Sequence, residues 1–105
     1  MEDLDTELLG QLQRWHEEDQ YQRIIDAIEA IPQPERGYEL TCQLARAYNN
    51  LGAPSNRALL KKAIALLSPH GEYFEGDHCW NFRMGYSYFY LDQEGRALRY
   101  FEKAL

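Results

Sequence analysis

Apolar residues recur along this chain at spacings of three and four, and polar runs, glycines and prolines interrupt them. The pattern predicts about six helices in three pairs. Leu8, Leu12 and Trp15 mark one face of a helix over 5–17, which Asp5 or Thr6 can cap. The run His16-Glu17-Glu18-Asp19-Gln20 breaks that face, and Asp19 with Gln22 reads as a capping box opening a second helix. This helix carries Ile24, Ile28 and Ile31, with Ile25 and Ala27 beside them, and Pro32 and Pro34 stop it. Leu40, Leu44, Ala45, Tyr48 and Leu51 mark a third helix over 37–51, ended by Gly52 and Pro54. Ser55 or Asn56 can cap the fourth, whose face carries Ala58, Leu59, Ala63, Ile64, Ala65 and Leu67 before Pro69. From Trp80 to Leu105, Met84, Gly85 and Tyr88 recur in one helix and Ala97, Phe101 and Ala104 in the next. Asp92-Gln93-Glu94-Gly95 forms the turn between them.

Small residues explain how the last pair closes. Gly85 has no side chain, Ala97 and Ala104 have short ones, and Phe101 fills the space between. Such a pair exposes an apolar face that it cannot cover alone, so it needs neighbours of the same kind.

Residues 84–104 thereby resemble the tetratricopeptide repeat (TPR), a helix–turn–helix of about 34 residues with the pattern W-x2-L-G-x2-Y…A-x3-F. Met84, Gly85 and Tyr88 match its L-G-x2-Y, and Ala97, Phe101 and Ala104 its second helix. Asn81 stands where the leading aromatic belongs, with Trp80 one residue early. Leu44-Ala45-x2-Tyr48 matches again, followed by Ala58 and Ala65 at the small positions and Lys62 where an aromatic is usual, after a loop one residue longer. Residues 5–34 match more loosely: Trp15 replaces the Tyr, Leu12 the Gly, and Ile24, Ile28 and Ile31 the second-helix positions. Trp15, Tyr48 and Tyr88 become equivalent, at separations of 33 and 40 residues. The extra length falls in residues 68–77, where Tyr73 and Phe74 are expected to pin the connection or extend the preceding helix.

The resemblance implies an all-α single domain over 1–105, with units of roughly 5–34, 37–70 and 77–105. They would stack as three antiparallel helix pairs in a short right-handed TPR-like α-solenoid. The last unit lacks the capping helix usual in such arrays. This suggests either a fragment of a longer protein or a last helix that packs on another chain, with Leu98, Phe101 and Leu105 available for a homodimer.

Composition narrows the function. The chain is 45% hydrophobic and 27% charged, and 105 residues give room for one domain that withdraws ~65% of its unfolded surface from water. A net charge of −6 argues against nucleic acid and against an anionic membrane surface. No stretch is long and apolar enough to span a bilayer, and MEDLDTELLG carries no signal-peptide pattern, so a cytoplasmic setting is expected. Cys42 and Cys79 are too few for a disulfide scaffold and read as reduced thiols near packing surfaces.

Catalytic chemistry finds little support. His70, Glu72, Glu75, Asp77, His78 and Cys79 are zinc-ligand types crowded in one connection, but their spacing matches no established site. A polar loop with a helix cap at Asp77 explains them, and neither a metal nor a cofactor is expected. No phosphate loop, G-x-S-x-G or H-E-x-x-H occurs, and Glu2-Asp3 and Glu17-Glu18 read as solvated faces.

A surface is the better candidate. In the TPR family the first helix of each pair lines a concave groove. The resemblance places Leu9, Gln13, His16 and Glu17 there in the first unit and Glu39, Arg46, Asn49 and Asn50 in the second. In the third it places Cys79, Phe82, Tyr86, Phe89 and Tyr90. Of these, Arg46, Asn49, Asn50, Phe82, Tyr86, Phe89 and Tyr90 are the candidate binding residues for a protein or peptide: Arg and Asn bond backbone or carboxylate, and aromatics supply apolar area. Adjacent helix positions lie 100° apart, so Tyr86, Tyr88, Phe89 and Tyr90 cannot all face one way. Tyr88 is assigned to the core, while Phe82, Tyr86 and Phe89 fit either packing or ligand contact. Leu9, Gln13 and Phe82 stand where the family's carboxylate clamp needs other residues, so a chaperone-tail binder is not expected. The sequence thus points to a non-enzymatic protein- or peptide-binding module, or alternatively to a structural or dimerisation module within a longer protein.

Overall fold

The computed structural model describes residues 6–71 and 76–105. The possible cap Asp5, the pinning residues Tyr73 and Phe74, and Glu72 and Glu75 lie outside the described residues. All described regular structure is helical, and no strand occurs among the described residues. The α-helices are α1 (Thr6–Glu17), α2 (Tyr21–Glu29), α3 (Gly37–Gly52), α4 (Arg57–Leu67), α5 (His78–Tyr90) and α6 (Glu94–Ala104), with 3-10 turns at Gln33–Glu35 and Ser68–His70. Each helix packs on the next in sequence, and α3 also reaches α5. A radius of gyration of 13.5 Å matches the ~13 Å of a folded domain of about 100 residues.

The apolar stripes meet in one core. Leu12 of α1, Ile24, Ile25 and Ile28 of α2, Leu40, Leu44, Ala45 and Tyr48 of α3, Ala63 and Leu67 of α4, and Trp80 and Met84 of α5 share it. Polar bonds fix the junctions between pairs. The Tyr48 hydroxyl donates to the Glu29 carboxylate, joining α3 to α2. The Trp80 indole N–H donates to the Leu67 carbonyl at 3.0 Å, joining α5 to α4. The Tyr38 hydroxyl donates to Asp77 at 2.8 Å, and the same carboxylate caps α5 by accepting from the Cys79 and Trp80 N–H groups.

The first and third pairs close with the same turn. Asp19 and Asp92 both adopt the left-handed conformation, at φ of 60° and 64°. The next N–H reaches back over the helix end, from Gln20 to the Trp15 carbonyl at 2.8 Å and from Gln93 to the Tyr88 carbonyl at 2.9 Å. This is the helix-ending Schellman arrangement, and it repeats on the residues aligned by sequence, Trp15 and Tyr88. It also replaces the expected capping box. Gln20 is the N-cap of α2 without a side-chain bond, and the Asp19 carboxylate accepts from the Tyr21 hydroxyl.

The middle pair departs from the expected register. Asn56 caps α4 through the Leu59 N–H. It stands eight residues after Tyr48, whereas Gln20 and Gln93 stand five after Trp15 and Tyr88, because the loop 53–56 is one residue longer than the loops 18–20 and 91–93, as expected, and α3 runs on four residues past Tyr48 where α1 and α5 run on two. Leu60, Ala63 and Leu67 face inward with Leu59 and Ile64 beside them, and Ala58 and Ala65 are exposed. The physical reason is size: the two stripes lie roughly 160° apart around the helix, and burying leucines withdraws far more apolar surface than burying alanines. Leu51, assigned to the buried face of α3, is exposed. Tyr88 is half-buried rather than fully enclosed. Its ring stacks on Tyr100 at 5.6 Å, with the Arg96 guanidinium 5.5 Å from its centre.

Gly85 does meet the second helix of its pair. A Cβ there would lie 2.6 Å from Phe101 Cε1 and 3.2 Å from the Ala97 carbonyl oxygen. Ala97 is buried, and Ala104 is half-buried.

Candidate functional site

Helical spacing builds a cavity between α3 and α5 on the described surface. Arg46, Asn49 and Asn50 lie on one face of α3, and Cys79, Phe82, Arg83 and Tyr86 on one face of α5. His16 from the end of α1, His78, and Phe101, Ala104 and Leu105 complete the lining. The cavity is open to solvent and measures about 750 Å³, within the range that holds small ligands or peptide side chains.

One wall is aromatic. Phe82 is 53% exposed and lies 5.8 Å from the Phe101 ring and 6.2 Å from Tyr86, centre to centre. Exposure of half a phenylalanine leaves apolar area for an occupant to cover.

The other wall is basic. Arg46 is half-buried, and among the described residues neither it nor Arg83 has a carboxylate within ion-pair distance; the ion pair found there, Arg57–Asp92, lies elsewhere. Burial and the nearby Arg83 charge lower the Arg46 pKa, with Glu39 opposing. Burial also lowers the His16 pKa, helped by Arg46 and Arg83 and opposed by Asp19 and Glu17. Arg83 Nη1 donates weakly to the Cys79 carbonyl at 3.4 Å, whereas its buried Nε and the buried His16 Nδ1 have no hydrogen-bond partner. A buried polar group in that state costs about 1–3 kcal/mol.

Asn49 serves the fold. It is 2% exposed, its Nδ2 donates to the Arg83 carbonyl at 3.2 Å, and its Oδ1 accepts from the Ser87 hydroxyl at 2.6 Å. These bonds hold α3 against α5 and set the floor between the two arginines.

No family model, curated protein or solved structure matches this chain.

The candidate binding residues therefore divide. Arg46, Asn50, Phe82 and Tyr86 line the cavity, with Asn49 beneath them. Phe89 and Tyr90 do not. They line a shallower depression of about 430 Å³ with Pro54, Ser55, Arg57, Asp92 and Glu94, although the Tyr90 ring touches Tyr86 at 4.9 Å. Phe89 continues the stripe of Phe82, but seven residues of helix carry it roughly 10 Å farther along. Leu9, Gln13, Glu17 and Glu39 are not in the lining. Arg83, His78 and Phe101 also line the cavity, although the sequence did not place them there. Arg83 was recoverable, since it stands four residues after Cys79 and three before Tyr86.

In the 70–79 connection Asp77 is the cap of α5. Burial works against its ionisation, yet the Tyr38 hydroxyl and the Trp80 and Cys79 N–H groups hold its carboxyl below the ordinary range. Among the described residues no group of three His, Cys, Asp or Glu side chains gathers around a point where a metal could sit. No described helix is long and apolar enough to cross a membrane.

Proposed function

We propose that this chain is a non-enzymatic protein- or peptide-binding module. In this reading the pairs are TPR-like, stacked antiparallel as a short right-handed solenoid, and the first helices present the groove to a partner in the cytoplasm. The observation that carries it is the cavity between α3 and α5, where an exposed Phe82 faces a half-buried Arg46. The repeated Asp19 and Asp92 turns support the stacking of like units.

Selection from a random peptide display library on the immobilised protein tests the reading. Binders should lose affinity at least tenfold on Arg46→Ala/Asn50→Ala or on Phe82→Ala, with the melting temperature preserved. Binders indifferent to all three substitutions, or an empty selection, would remove the proposal.

A second reading, a structural or dimerisation module in a longer protein, draws on Leu98 of α6, which is 57% exposed. Light scattering over a concentration series separates the two. A strict monomer at high concentration counts against the dimer.

A further inference from the structure

We infer that the cavity selects an acidic peptide segment, seating a glutamate or aspartate side chain against Arg46 and Arg83 and a neighbouring apolar side chain against Phe82. The inference rests on the binding-module reading and adds the chemistry of the ligand.

Charge complementarity carries it. The protein has a net charge of −6, yet this cavity is lined by two arginines and two histidines and, among the described residues, by no aspartate or glutamate. Neither arginine has an ion-pair partner among the described residues. Two half-buried guanidinium groups on one cavity repel each other, burial and the Arg83 charge lower the Arg46 pKa, and a carboxylate between them would reverse the sign of that interaction. Arg83 Nε–H has no acceptor among the described residues and its Nη1 makes only a 3.4 Å bond, so the guanidinium fork retains donors that pair with a carboxylate.

The aromatic wall fixes what accompanies the charge. Phe82, Tyr86 and Phe101 form a continuous ring surface beside the arginines, with neighbouring centres 5.8–6.2 Å apart. A second acidic residue there would lose hydration with nothing gained, whereas an apolar side chain covers Phe82. The negative exterior repels anions at long range, but its field fades over a Debye length of ~10 Å at 0.1 M salt, leaving the local arginines to decide selectivity.

Fluorescence anisotropy on the intact protein tests this with labelled peptides acetylated and amidated at their ends, so that no terminal carboxylate contributes. The probes are an alternating Glu/Phe dodecapeptide, its Gln/Phe and Lys/Phe analogues, a phosphoserine/Phe analogue, and the Glu/Phe peptide with a free C-terminus. The Glu/Phe peptide should bind at least tenfold more tightly than the Gln/Phe peptide. Arg46→Gln and Arg83→Gln should each erase that preference, and Arg46→Glu should transfer it to the Lys/Phe peptide. Circular dichroism confirms that each variant folds. Equal binding of the Glu and Gln peptides, both sensitive to Phe82→Ala, overturns the acidic preference while leaving the module intact. Binding only of the phosphoserine peptide, or only through a free C-terminus, also overturns it. Absence of binding by every probe overturns it too, and the display selection then decides the module reading separately.

Discussion

Adding a single methyl group at Gly85 sets two effects of known size against each other. Alanine is the better helix former by about 0.8–1.0 kcal/mol in a helix interior. Here its Cβ would stand 2.6 Å and 2.7 Å from two Phe101 ring carbons and 3.2 Å from the Ala97 carbonyl oxygen. Carbon pairs rest at about 3.5–4.0 Å, so the ring must retreat by roughly 1 Å. Phe101 is half-buried and borders the cavity, which gives it somewhere to go, but the Ala97 oxygen belongs to the backbone of α6 and does not yield. Overpacking of this kind costs about 1–3 kcal/mol. The net expectation is that Gly85→Ala destabilises by about 1 kcal/mol, lowering the melting temperature by about 4–8 °C for a domain of this size. Urea titration of wild type, Gly85→Ala, Phe101→Leu and the double variant supplies the assay. The double variant should be more stable than the sum of the single losses implies, because the smaller side chain removes the collision. A Gly85→Ala protein as stable as wild type, or strict additivity in the cycle, would falsify the packing argument.

Two other outcomes follow from buried polar contacts. Asn49→Ala should cost about 1–2 kcal/mol in urea unfolding, because it breaks both bonds between α3 and α5, and coupling with Ser87→Ala should be measurable; full additivity would show that the bonds are not shared. Burial, then the bond to Glu29, raises the Tyr48 pKa above its ordinary 10.0, and burial with the Cys42 and Asp77 contacts raises that of Tyr38. A raised tyrosine pKa means that the unfolded chain ionises first. The associated stability is whole below pH 10 and falls as pH rises beyond it. The urea midpoint should therefore drop between pH 9 and 11, and less steeply in Tyr48→Phe; an unchanged slope would refute the assignment.

Helices with one strong apolar stripe were legible from the sequence, α2 and α3 most clearly, because Ile24, Ile28, Leu40 and Leu44 leave a single way to turn inward. The register of α4 was not. Its two faces both carry apolar residues, and the effect on register of the α3 overrun past Tyr48 to Gly52 cannot be read from periodicity. The repeated turn was hidden for a related reason. Asp19 and Asp92 act through backbone conformation, whereas the sequence offers the Asp19 side chain as a cap and Asp92 only as part of a polar turn. At the cavity, spacing within a helix brought Arg46 near Asn50 and Phe82 near Tyr86. It could not reveal that the cavity ends at Tyr86 along α5, so Phe89 and Tyr90 were included. Nor could it reveal that Phe101, read as packing for Gly85, also forms a wall.

The connection between α4 and α5 is fastened by residues on either side of it. The Trp80 indole grips the Leu67 carbonyl, and the Tyr38 hydroxyl holds Asp77. Helix placement is thereby uncoupled from the number of residues strung between those two points, and each doubling of such a span adds only about 0.6 kcal/mol of closure entropy. A short reporter sequence spliced into this stretch should therefore leave α3 and α5 at their spacing.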